Sequence, residues 1–193
     1  ELSLKCANNG IVLSVDNYVP TDYTAFYNRA EQANFADYIV IMGYDEHYSG
    51  SDAGSVASLS WVKEGVENTL KEVPSDQIIL GMPFYTRVWC LTPRSDDSDT
   101  EMIYDTTSEA YGMNAAARLV ASNEAEKVWL EDCGQFYAEY EKNGSIYKIW
   151  LEDSSSIDER LRLLDSYSLA GASFWKLGLE SSDIWDTVIK YIN

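Results

Sequence analysis

Tyr38-Ile39-Val40-Ile41-Met42-Gly43-Tyr44-Asp45 is the stretch on which the fold turns. Five near-continuous apolar positions, with no in-out alternation, mark a strand buried on both faces of a parallel sheet. Three other runs share this character: Ile11-Val12-Leu13-Ser14-Val15, Ile78-Ile79-Leu80-Gly81-Met82 and Ala170-Gly171-Ala172-Ser173-Phe174-Trp175. Helical spacing lies between them. Leu59, Val62, Val66, Leu70 and Val73 recur every three or four residues and stop before Pro74, a residue that cannot continue a helix. Ile157, Leu161, Leu164 and Leu169 mark a second helix, opened by Ser156 with Glu159 three residues on, the pattern of a capping box. Thr106 and Glu109 predict a third in the same way, and Trp185, Val188, Ile189 and Ile192 a last one. Alternating strands and helices define an α/β fold.

The runs are unevenly spaced. The first three begin about 27 and 40 residues apart, but about 90 separate the third from the fourth. That gap holds aromatic-rich stretches of strand character at residues 127–130, 135–140 and 145–151, with Asn143-Gly144 as a hairpin turn. We therefore expect an α+β insertion over residues 90–149, entered by the polar loop 95–100, and a half barrel over residues 1–89 and 150–193. A closed (β/α)8 TIM barrel takes roughly 30 residues per unit and runs to about 250, so four units make half of one. Such a half has two open strand edges, which need a partner. The opening residues, Glu1 to Cys6, read as the middle of a helix, and we expect an excised piece of a longer chain.

Composition narrows the function. Among 193 residues, 14 Lys and Arg face 32 Asp and Glu, a net charge of −18. Phosphate and acidic-lipid partners need a basic face, so nucleic acid is not an expected partner. No apolar run approaches the ~20 residues of a membrane span. The 6 Trp and 14 Tyr mark a folded, aromatic-rich domain. Cys6, Cys90 and Cys133 include no Cys-x-x-Cys pair and read as packed thiols, with room for one optional disulfide. With a single histidine, and with Asp96, Asp97 and Asp99 lacking the Gly and Glu of a calcium loop, no metal site is expected.

In parallel α/β folds, function gathers at the carboxyl ends of the strands. Those positions hold Asp16 and Tyr18; Gly43, Tyr44, Asp45, Glu46 and His47; Pro83, Phe84, Tyr85 and Arg87; and Trp175 and Lys176. Rings that stack on pyranose faces, beside carboxylates that accept hydroxyl hydrogen bonds, compose a sugar site. His47 reads as a surface-loop residue, and Trp61, Trp129 and Trp185 as packing. Glu152 and Asp153 close the insertion and are expected to orient it.

Four motifs in order, Met42-Gly43-Tyr44-Asp45, Gly81 to Trp89, Ile149 to Asp153 with Ser156, and Leu169 to Trp175, resemble glycoside hydrolase family 18. The resemblance spans nearly the whole chain and corresponds to barrel strands five to eight, with the insertion between the last two. Tyr44 to His47 followed by Gly54 to Leu59 is more similar to the bacterial cell-wall and spore-associated branch than to secreted chitinases. It implies an extracellular, wall- or spore-associated glycosidase that needs no cofactor. Its substrates would be β-linked N-acetylglucosamine polymers, chitin-like or peptidoglycan. The retaining mechanism is substrate-assisted, the acetamide oxygen of the sugar serving as nucleophile. By the same resemblance, Tyr44 holds the acetamide and Asp45 hydrogen-bonds near the cleaved sugar. Met42 packs beneath, Tyr85 and Arg87 line neighbouring subsites, and Trp175 floors the sugar.

The family's general acid is a Glu ending a D-x-x-D-x-D-x-E run on strand four, and this sequence contains no such run. Asp97-x-Asp99-x-Glu101 echoes it, but Arg94 stands where the first Asp belongs. Losing a general acid costs on the order of 10²-fold or more, so the chain alone is expected not to turn over. Two other readings follow: a non-catalytic, lectin-like glycan binder, and a structural half barrel completed by a second copy of itself.

Overall fold

A computed structural model describes residues 1–94 and 103–192. Helix α1 (Leu2–Asn8) leads to a four-stranded parallel sheet of β1 (Ser14–Tyr18), β2 (Tyr38–Met42), β3 (Ile78–Pro83) and β9 (Gly171–Trp175), in that spatial order. Between these strands run α2 (Arg29–Ala33), α3 (Leu59–Thr69) and α5 (Ser154–Tyr167), and α6 (Ile184–Val188) follows the last. The fold class is α/β.

Register sorts the side chains of the sheet. Asp16 aligns with Val40, Ile79 and Gly171, and Tyr18 with Met42, Gly81 and Ser173. Side chains alternate between faces along a strand, so these residues share one face, together with Trp175. The opposite face carries Ile39, Ile41, Ile78, Leu80 and Met82, all at most 1% exposed. They pack with Val62 and Val66 of α3, Ile157, Leu161 and Leu164 of α5, and Ile184 of α6. Helices thus cover one face. On the other, Val40, Met42 and Ile79 are half-buried and Trp175 is exposed.

A second, five-stranded sheet occupies residues 85–150, in the order β5-β4-β8-β7-β6. It comprises β4 (Tyr85–Pro93), β5 (Tyr104–Gly112), β6 (Lys127–Leu130), β7 (Gln135–Lys142) and β8 (Ser145–Trp150), all antiparallel, with helix α4 (Met113–Ser122) against one face. The sequence boundary at residue 89/90 falls inside β4; the chain leaves the first sheet with β3 at Pro83 and enters the second at Tyr85. Asn143 and Gly144 turn the β7–β8 hairpin with φ of 53° and 79°, both in the region that a tight hairpin requires.

Four expectations are corrected. Residues after Thr106 form strand rather than helix, because nine pairs with β4 commit Tyr104–Gly112 to the sheet; the helix begins only at Met113. Helix α5 is capped by Asp153, whose carboxylate accepts from the amides of Ser155 and Ser156, so Ser156, the third helical residue, closes the capping box and does not open it. The first strand starts at Ser14, leaving Ile11 and Val12 exposed. The last helix ends at Val188 and tightens into a 3-10 turn over Ile189–Tyr191. The polar loop 95–100 and the acidic echo at Asp97, Asp99 and Glu101 lie outside the described residues.

Candidate active site

The carboxyl ends of β1, β2 and β3 meet the first residues of β4. Asp45, three residues past the end of β2, has φ of 63°, left-handed backbone that favours glycine and is tolerated by aspartate. Tyr85 donates its phenolic hydrogen to Asp45 Oδ1 at 2.5 Å. Tyr18, the last residue of β1, donates to the Asp45 carbonyl at 2.8 Å. Tyr44 lies edge-on to Tyr85, ring centroids 6.3 Å apart, and Trp61 of α3 lies edge-on to Tyr18. One aspartate is therefore held from two sides by phenols on different elements.

Close backbone approach makes this junction. A Cβ on Gly43 would lie 2.8 Å from the Gly81 carbonyl, and one on Gly81 2.8 Å from the Ile41 carbonyl, distances only glycine permits. The β2 and β3 ends are thereby brought together just before Tyr44 and Asp45.

The electrostatics follow. Burial, the hydrogen bond to Asp45 and the Asp45 charge all raise the Tyr85 phenol, while the Arg87 charge lowers it. Burial first, then Asp45, Tyr48 and Glu46, push Tyr18 up to about 12. Burial, Asp16 and Asp45 raise Tyr44. The phenols stay protonated near neutrality and act as hydrogen-bond donors, not bases.

Met42 and Trp175 share the open face of the parallel sheet, Trp175 at 55% exposure opposite Pro83. Arg87 follows Tyr85 by two positions and so points from the same face of β4. Its Nη1 donates to Ser108 at 3.2 Å, and its Nε has no hydrogen-bond partner among the described residues. Neither Arg87 nor Trp175 hydrogen-bonds to the Asp45 cluster among the described residues, so the structure joins Tyr44, Asp45 and Tyr85, with Arg87 two positions along β4 and Met42 and Trp175 on the open sheet face. His47 is a loop residue, its Nδ1 2.9 Å from the Asp52 carbonyl. Trp129 packs on Phe136, and Trp185 on Phe84 and Phe174.

Two features escaped the sequence reading. Tyr18 was placed near the site, but its bond to a backbone oxygen 27 residues away depends on how β1 and β2 meet. Arg160 was not singled out, although a charge falling between Ile157 and Leu164 on the apolar face of α5 is a visible signal. It forms a fully buried pair with Glu152. Complete burial pushes the Glu152 carboxyl up to about 7, while Arg160 and Ser156 pull it down.

A parallel sheet with an antiparallel insertion after its third strand, and an aspartate-tyrosine cluster at the strand ends, define an α/β domain whose polar side chains gather where its strands end. Residues 7–180 match the family described as glycosyl hydrolases family 18, and the chain belongs to that family. It is 26% identical over 170 residues to the uncharacterized glycosylase YvbX of Bacillus subtilis, covering 88% of this chain and 46% of that protein. It is 27% identical over 165 residues to the cortical fragment-lytic enzyme of the same organism, covering 84% of this chain and 36% of the enzyme. This chain therefore spans less than half of either relative. The fold matches the crystal structure of a chitinase from Chromobacterium violaceum with a TM-score of 0.85, at 22% identity, over 99% of this chain and 58% of that one.

Proposed function

We propose that the chain is the carboxyl-terminal half of a family 18 barrel, with β1, β2, β3 and β9 as barrel strands five to eight and the second sheet as the insertion between the last two. Together with its upstream half it hydrolyses β-linked N-acetylglucosamine-containing glycans of wall, spore or chitin type, with retention and by substrate assistance. The observation that carries this is the geometry of Asp45, whose carboxylate is fixed by Tyr85 and whose carbonyl is fixed by Tyr18.

In this reading, bond cleavage has the acetamide oxygen of the substrate attack the anomeric carbon as the glycosidic oxygen leaves. Positive charge then develops on the acetamide, and a preorganised carboxylate stabilises it without reorganising. Asp45 is that carboxylate. Tyr44 holds the acetamide in place, Trp175 stacks under the sugar, Met42 packs beneath, and Tyr85 and Arg87 line adjoining subsites. The proton for the leaving oxygen comes from a residue outside these 193. The cortical fragment-lytic relative makes a cell-wall glycan the favoured substrate class.

Hydrolysis of a fluorogenic N-acetylglucosaminide by this chain, beside a longer one that restores the upstream half, tests the proposal. Activity is expected only in the longer chain, and Asp45→Asn there should lower kcat by on the order of 10²-fold or more. Turnover by the short chain would show that the acid lies within it. Glycan binding with no turnover in either chain would instead favour the lectin-like reading.

A further inference from the structure

Beyond the strand ends, a buried polar cluster converges on the loop that follows Asp45. Arg160, in α5 and fully buried, directs its guanidinium two ways. Nη1 and Nη2 meet the two Glu152 carboxylate oxygens at 2.7 and 2.9 Å. On the other edge, Nε and Nη2 both donate to the backbone carbonyl of Ala57, Nε at 2.9 Å. Glu152 also accepts from Gln135 Nε2 at 2.7 Å and from Ser156 Oγ at 2.8 Å. Gln135 in turn accepts from Ser55 Oγ at 2.5 Å, and Ser55 Oγ accepts from the Ala57 amide at 3.0 Å.

The loop is closed on itself as well. The Glu46 amide donates to the Val56 carbonyl and the His47 amide to that of Ser55, while the Glu46 carboxylate accepts from the amide and hydroxyl of Ser58. Residues 46–58 are thus a clasped unit hinged directly on Asp45. Strand β4 grips it twice, through Tyr85 on Asp45 and through the Trp89 indole N–H on the Gly54 carbonyl, 2.8 Å apart.

We infer that Glu152 and Arg160 are positioning residues: the buried pair ties the insertion and α5 to the 46–58 loop and so sets where Asp45 meets Tyr85. The inference rests on the reading of Asp45 as the acetamide carboxylate. A buried ion pair is a poor way to gain stability, because desolvating both charges offsets their attraction, and an apolar pair of similar volume often serves as well. This pair gains direction instead, because its fork grips a backbone carbonyl more than 100 residues away and aims a loop. A fully satisfied buried network has such rigidity.

The double substitution Glu152→Leu with Arg160→Met keeps the volume and removes the grip. Hydrogen exchange should then accelerate by about tenfold or more at the Trp89 indole N–H and at the His47, Ala57 and Ser58 amides, and remain at the wild-type rate for Ile41 and Leu80 in the strands. Arg160→Lys, whose ammonium cannot span both partners, should lie between, and it decides the matter if the double variant does not fold. In the longer chain, the double variant should lower kcat with little change in KM. Wild-type exchange throughout the loop, or equal acceleration in loop and strands, would overturn the inference. The exchange result stands even if no chain hydrolyses glycan, so failure of the glycosidase reading and failure of this one are separable.

Discussion

Asp45 concentrates the residue-scale argument. A reader of the sequence puts it just past a strand end, because it follows an apolar run and stands in a Gly-Tyr-Asp turn; its left-handed φ and the phenol on its carboxylate become visible only when β2 and β4 are brought together. The same holds for Tyr18, whose pairing is a tertiary event. Its consequence is measurable by ultraviolet phenolate titration. Unperturbed tyrosines ionise at ~10, whereas Tyr18 should ionise at about 12, and burial with the Asp45 hydrogen bond raises Tyr85 as well. The folded state favours the neutral phenols, so their contribution to stability is complete below the unfolded value of ~10 and is lost as pH climbs through the raised folded values. Asp45→Asn removes a negative charge that both rings feel, and should bring both ionisations down. If Asp45→Asn leaves the ionisation of Tyr18 and Tyr85 unmoved, the cluster is not as described.

Among the elements, periodicity performed best where burial is one-sided and worst where pairing decides. The 59–73 pattern became α3, which ends at Thr69, and the apolar runs at 38–42 and 78–82 became β2 and β3, whose alternate side chains Ile39, Ile41, Ile78 and Leu80 pack on the helical layer. Tyr104–Gly112 carried a helix-opening pattern, yet alignment with β4 overrode it, since local propensity is weak against a nine-residue ladder. The cap of α5 was misplaced by three residues because Ser156 with Glu159 fits the sequence pattern, whereas in the structure Asp153 closes the box with the Ser156 hydroxyl. Asp153→Ala should therefore cost about 1 kcal/mol in urea unfolding. Glu159→Ala, which loses only an exposed pair with Arg162, should cost at most about 0.5 kcal/mol. The reverse ranking would restore Ser156 as the cap.

At the scale of the whole molecule, the parallel sheet is asymmetric in a way its sequence forecasts through strand count and spacing. Parallel sheets persist when both faces are covered, and here helices cover only the face of Ile39, Ile41, Ile78 and Leu80. Val40, Met42 and Ile79 line the other face half-buried, and β1 and β9 end the sheet with no further strand paired to them among the described residues. Unpaired edges beside apolar surface drive association. The isolated chain should therefore self-associate as its concentration rises in sedimentation, through the face that the proposed barrel would turn inward. If the proposed upstream half completes the barrel, restoring it should abolish this, since the same edges and the same face would then be occupied within one chain. Met42→Glu, which places a charge on that face beside Tyr18 and Gly81, should weaken self-association of the short chain and leave its helix-side core intact by circular dichroism. A monomer at every concentration would mean that the open face is tolerated in water. The half-buried state of Val40, Met42 and Ile79 would then be stable without the cover that their apolar character calls for.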